Sequence, residues 1–225
     1  MIWIPIFLGN LVLVVAQFFI SEASPVVILL KKIAGPFIVA QLFQSLWCAA
    51  FRPRYSKNNL MYISTLCLMA TTYSLSRAHT IVVAQPRSYS NMQYSMYFLP
   101  VTIYFGWAAI ASLVNLNSAY VIRKNSAPKL NAWMGHASVV SATLFGVFIT
   151  VQRLAPVFGL VICWGLLSVA DSTKQRISIN VKKKDDGSGK EKVIAALHGA
   201  KTQMYLCWGG TFICASASLF ATLGI

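Results

Sequence analysis

The chain has 225 residues, of which 57% are hydrophobic and only 11% charged, and its formal net charge is +14. Ordinary soluble domains carry roughly 25% charged residues, so this composition excludes a water-soluble fold and makes a bilayer the natural solvent. The basic excess does not point to nucleic acid, because the Lys and Arg residues cap apolar stretches and do not share a polar face with aromatics.

A spanning helix needs about 20 largely apolar residues. Such stretches lie near residues 1–20, 33–51, 60–76, 97–121, 133–152, 155–172 and 203–224. The expected fold class is all-α, a polytopic transmembrane helix bundle of six or seven spans. The count turns on the fifth and sixth, which only Arg153 and Pro156 separate, so that two helices, a re-entrant pair or one kinked helix all fit. Three segments are expected: a bundle over 1–172, a basic surface loop over 173–202, and an additional C-terminal helix over 203–225. The loop reading rests on KQRISINVKKKDDGSGKEK, residues 174–192, the one long stretch of low hydrophobicity.

Lys and Arg collect on cytoplasmic-type loops. Alternating spans put fourteen of the 19 on the side of the first helix start: Arg52, Arg54 and Lys57, then Arg123, Lys124 and Lys129, then the basic residues from Lys174 to Lys201. Lys31, Lys32, Arg77, Arg87 and Arg153 fall on the other side. Loops 52–57, 123–129 and 174–201 are therefore expected to face cytoplasm, matrix or stroma. The first twenty residues hold no Lys or Arg and resemble neither a signal peptide nor an Arg-rich transit peptide.

The five cysteines fall inside apolar spans without a CxxC pair and read as small packing residues. Outside the basic insert the only carboxylates are Glu22 and Asp171, both near span ends, so no paired acid and base is visible and no enzyme activity is expected.

Polar groups in hydrocarbon must find partners, which makes them the first functional candidates. Gln41, Gln44 and Trp47 share one face of the second span, and Tyr104, Trp107, Ala111 and Asn115 one face of the fourth. Trp164 lies mid-way along the sixth. A face of amides and aromatic rings suits a flat amphipathic ligand; interhelical hydrogen bonding by Gln44 and Asn115 is the competing reading. His136 and His198 are candidate ligands to the metal of a tetrapyrrole, whereas His79, in RAHT, reads as a solvated loop residue. Gly209, Gly210, Ala215, Ala217 and Ser218 would let another helix approach the last span closely.

The stretch LPVTIYFGWAAIASLVNLNSAYV, residues 99–121, resembles the aromatic-rich helix of the TspO-like family, the tryptophan-rich sensory or translocator-like membrane proteins. Pro100, Tyr104, Gly106, Trp107, Ala111 and Asn115 stand where that pattern expects them. IWIPIFLGN, with Trp3, Pro5 and Phe7, QLFQSLWCAAF at 41–51, and VFGLVICWGLLSVADS at 157–172 are similar to further helices of the family. Residues 174–225 have no counterpart in that pattern, and the helix that normally precedes the first Trp helix is absent. The resemblance implies a pocket between helices for porphyrins, sterols and other apolar ligands, lined or supported by Trp3, Trp47, Trp107 and Asn115. The reading that combines these signals is a non-catalytic accessory subunit of a larger membrane complex, a photosynthetic pigment–protein assembly of the thylakoid. It would hold chlorophyll or another tetrapyrrole, carotenoid or lipid, with membrane lipids and other subunits, met through the C-terminal helix and basic loop, as partners. A free-standing TspO-like sensor or carrier is the alternative, and a small-solute transporter a third.

Overall fold

The computed structural model describes residues 3–52, 61–84, 89–121, 128–185 and 190–223, and among these the chain forms helices joined by short turns, with no strand. We label them α1 (Trp3–Ala16, continued by a 3-10 turn at Gln17–Phe19), α2 (Pro25–Ala50), α3 (Met61–Val83), α4 (Asn91–Val121), α5 (Pro128–Gln152), α6 (Pro156–Asp185) and α7 (Lys190–Leu223). Five of them, α2 and α4 to α7, are long and apolar enough to cross a membrane, and α1 with its turn is a shorter apolar helix. The protein is an all-α integral membrane bundle.

α3 is more polar yet sits between α2 and α4. Several of its hydroxyls are satisfied within the helix: Thr65 Oγ1 donates to Met61 O at 3.1 Å, Thr71 Oγ1 to Cys67 O at 3.0 Å and Thr72 Oγ1 to Leu68 O at 2.9 Å. Such back-bonding lets Ser and Thr enter hydrocarbon without an unsatisfied donor.

Several helices begin earlier than hydrophobicity alone predicts. α2 starts at Pro25, with the Ser24 side chain accepting from Val26 N, so Lys31 and Lys32 lie within the helix, exposed, and not in a loop; long lysine stems can carry their charge toward the interface from there. α4 starts from a capping box, Ser90 Oγ accepting from Gln93 N and Gln93 Oε1 from Ser90 N. It then widens into a π-helical turn at Tyr94–Phe98, directly ahead of Pro100, whose ring would otherwise press on the carbonyl four residues before it.

The expected basic surface loop is also corrected: α6 continues to Asp185 and α7 begins at Lys190, so most of 173–202 is helical. Low hydrophobicity is not a stop signal. The run from Thr173 to Asp185 contains neither Gly nor Pro, and the glycines of DDGSGK come only afterwards. Arg54, Lys57, Arg87, Arg123 and Lys124 lie outside the described residues, as do the side chains of Lys129 and of residues 179–196.

The fifth and sixth spans are two separate helices forming an antiparallel hairpin. The chain turns through Arg153–Ala155, with Leu154 in the left-handed region at φ 45° and Ala155 N donating to Thr150 O at 3.0 Å. α7 then packs antiparallel on α6 and parallel on α5, along a seam of small residues. A Cβ at Gly146 would lie 2.9 Å from Ile162 Cγ2 and 3.0 Å from Cys214 Sγ. One at Gly159 would overlap Ser218 Oγ and lie 2.7 Å from Thr150 Oγ1, and one at Gly210 would overlap Thr143 Oγ1. The small residues of the last helix are therefore used largely within the chain, Gly210, Ala217 and Ser218 being buried there while Gly209 and Ala215 face outward. α4 runs parallel to α6, with Phe105 tilted against Phe158 at 4.6 Å between centroids.

Candidate functional site

α1 runs antiparallel to α4, and two contacts fix its height. A Cβ at Gly9 would stand 3.1 Å from Pro100 Cβ, so the helices approach closely there, and the Tyr97 hydroxyl donates to Ala16 O at 2.9 Å, closing the end of α1. From that register Trp3 meets Trp107 edge to face at 6.0 Å. α2 supplies the third indole, Trp47, stacked on Trp3 at 5.2 Å. Phe7, one turn along α1, stacks on Trp3 at 5.8 Å, and Phe51, one turn along from Trp47, on Trp47 at 5.2 Å.

Polar groups lie one helical turn from two of these rings. Gln44, one turn before Trp47, and Tyr104, one turn before Trp107, are buried. The Gln44 amide oxygen and nitrogen, the Trp47 and Trp107 indole N–H groups and the Tyr104 hydroxyl are all buried without a hydrogen-bond partner among the described residues. A buried polar group left unpaired costs about 1–3 kcal/mol, and here five such atoms come from α2 and α4.

Of the sequence candidates, the structure thus gathers Trp3, Gln44, Trp47, Tyr104 and Trp107. It does not gather the others. Asn115 lies two turns along α4 from Trp107, where its Nδ2 donates to Ser64 Oγ at 3.2 Å and ties α4 to α3, the interhelical role. Trp164 is 49% exposed on the outer face of α6. Its helical phase, not its depth, decides this, because Cys163 and Gly165 on either side are the buried ones. His136 is on α5 with Nε2 3.1 Å from Gly199 O of α7 and its ring against Trp133; His198 is exposed on α7. Neither stands at the aromatic cluster, and no group of three or more His, Cys, Asp or Glu able to hold a metal occurs among the described residues. The donor and acceptor set around the indoles would suit the polar rim of a flat macrocycle, and neither His136 nor His198 stands beside it. Phe51 was missed by the sequence reading although its i+4 spacing from Trp47 carried the signal.

His79 is a correction. It is buried in α3, not solvated, because the helix runs on to Val83. Its Nδ1 is 3.3 Å from Nη1 of Arg153, which also donates to Ser76 O at 3.2 Å, while Nη2 donates to Ser76 Oγ at 3.0 Å. Arg153 sits 5.7 Å over the Phe105 ring, and partial burial in its turn lowers its pKa, as expected for a cation drawn out of water.

The five cysteines are free, Cys48 exposed and the other four buried. The Cys163 thiol donates to Thr211 O at 3.4 Å and that of Cys214 to Thr143 O at 3.7 Å, both across the α7 seam.

No curated protein and no solved structure matches the chain. The sequence pattern of the TSPO-like protein family matches residues 1–182, from the first Trp helix through most of α6. The aromatic cluster lies wholly within that match, and α7 lies beyond it. The chain belongs to the TSPO-like protein family.

Proposed function

We propose that this membrane protein is a non-catalytic binding protein that takes a flat amphipathic ligand, a tetrapyrrole or comparable pigment or lipid, against the aromatic cluster of α1, α2 and α4. One observation carries the reading: five buried polar atoms, on Gln44, Trp47, Tyr104 and Trp107, have no partner among the described residues and adjoin stacked indoles. Indole N–H groups donate, while the amide and phenol can both donate and accept. The set therefore suits a ligand with carbonyl, carboxylate or pyrrole groups on the rim of an apolar plane.

A second reading places the same protein as an accessory subunit of a larger membrane assembly, such as a thylakoid pigment–protein complex, with the basic ends of the helices toward stroma or cytoplasm. The outward face of α7 favours it, because Tyr205, Trp208 and Phe212 are 67%, 56% and 75% exposed along one side. Chlorophyll or carotenoid would then be held at the rim, with His198, about two turns into that helix, as the ligand to a chlorophyll.

Purification in mild detergent, with a particle mass and an absorbance spectrum followed by titration with a metal-free porphyrin, separates the two. A small particle that takes up porphyrin with quenching of tryptophan fluorescence, weakened in Trp107→Ala, supports the first reading. A large particle carrying chlorophyll and other chains supports the second, and a small particle indifferent to porphyrin removes the tetrapyrrole from the proposal.

A further inference from the structure

A concavity lies away from the aromatic cluster. It is a groove of about 430 Å³ between α3, α4, α5 and α6, lined by Thr72, Ser76, Leu113, Ala142, Phe145 and Ile162 among others. It opens between α3 and α5, where Tyr73 is 68% exposed. Its walls are chemically quiet: the Thr72 and Ser112 hydroxyls pair with each other at 3.1 Å and with carbonyls of their own helices, so they offer a ligand little but hydrocarbon.

The groove ends at a cation. Ser76 lines it and is held by Arg153, and Phe145 of its wall packs on Phe105, over whose face the guanidinium sits. Part of the Arg153 donor set has no partner among the described residues. The chain has only five Asp and Glu residues. Three lie between Asp185 and Glu191, Asp171 is about 22 Å along α6 from Pro156, and Glu22 is exposed in the turn before α2. No carboxylate among the described residues is hydrogen-bonded to Arg153, whose partners are Ser76 and His79, so the guanidinium can take an anionic group from outside the chain. From Ser76 to Met69 the groove follows α3 for about 10 Å toward mid-bilayer.

We propose that Arg153 and this groove form a binding site for one anionic phospholipid, its phosphate on the guanidinium and one acyl chain lying between α3 and α5. The phosphate matches the fork geometry of arginine, and the chain covers apolar surface that protein leaves open. This site is independent of the aromatic cluster.

The test is native mass spectrometry of the full chain, delipidated in detergent and offered phosphatidylglycerol, phosphatidylcholine or inorganic phosphate. One phosphatidylglycerol should be retained about tenfold more strongly than phosphatidylcholine, the scale of a hydrogen bond to a charged group. Arg153→Gln should abolish the preference, Arg153→Lys should keep part of it, and Ala142→Leu should reduce retention of both lipids by filling the groove. Trp107→Ala should change none of this. Equal retention of the two lipids by the wild-type chain overturns the proposal without recourse to any variant, as does efficient displacement by inorganic phosphate. Unaltered preference in a folded Arg153→Gln protein overturns the role of Arg153.

Discussion

The two flanks of the bundle are built on opposite principles. Where α5, α6 and α7 meet, glycines let backbones approach until a single added Cβ would strike a neighbour. Where α1, α2 and α4 meet, large rings fill the space beyond the Gly9–Pro100 approach, and polar atoms are left without a partner among the described residues. Helices in lipid associate through van der Waals packing and a few hydrogen bonds, so the first flank maximises stability. The second gives some of it up, which is the arrangement expected of a surface that receives something.

The sharpest way to break this contrast is a glycine exchange. Gly159→Leu should lower unfolding stability in detergent by about 3 kcal/mol or more, the upper range for overpacking a tight site. Gly209→Leu, where nothing lies within 4 Å of the added carbon, should leave the melting temperature nearly unchanged. Equal effects would mean the seam is no tighter than the outer face. Next in size is Trp107→Ala, expected to weaken porphyrin uptake by about tenfold or more, since a stacked ring with its N–H contributes on the order of 1–2 kcal/mol, while costing less stability than Gly159→Leu.

Gln44→Leu tests the unpaired amide directly. Removing a buried group that has no partner should raise the stability of the ligand-free protein by up to about 1 kcal/mol and still reduce ligand affinity; a loss of stability would show that Gln44 is satisfied after all. The smallest effect is expected from Asn115→Leu, which breaks the bond to Ser64. It should cost about 0.6 kcal/mol, the average for interhelical bonds in a membrane protein, with porphyrin uptake unchanged, because that residue lies outside the cluster.

Much of the fold could be read from hydrophobic runs, because a bilayer imposes length and apolarity on every span. What escaped were the positions where other signals override hydropathy. Ser24 with Pro25, and the Ser90/Gln93 box, begin helices before their apolar runs. The stretch from Thr173 to Asp185 stays helical because nothing in it breaks a helix. Trp3, Gln44, Trp47, Tyr104 and Trp107 were legible through spacing and through the family pattern, since ring and amide positions one turn apart must share a face. Trp164 and His79 lie elsewhere than expected, and the alternative left open for Asn115 falls to its bond with Ser64, for a common reason. Their roles depend on which neighbour each helix turns toward, and a single helix does not carry that information.

The parallel pairing of α5 with α7 has a consequence for biogenesis. These helices straddle α6 and belong to the same tight seam, yet α7 leaves the ribosome last of the three. Until it inserts, the grooves at Gly146 and Gly159 face lipid, and the α5–α6 hairpin waits in the membrane with one side open. A segment beyond the family match is thus the closing piece of the bundle, and a ribosome stalled before Lys190 would leave behind an unsealed protein exposed to membrane quality control.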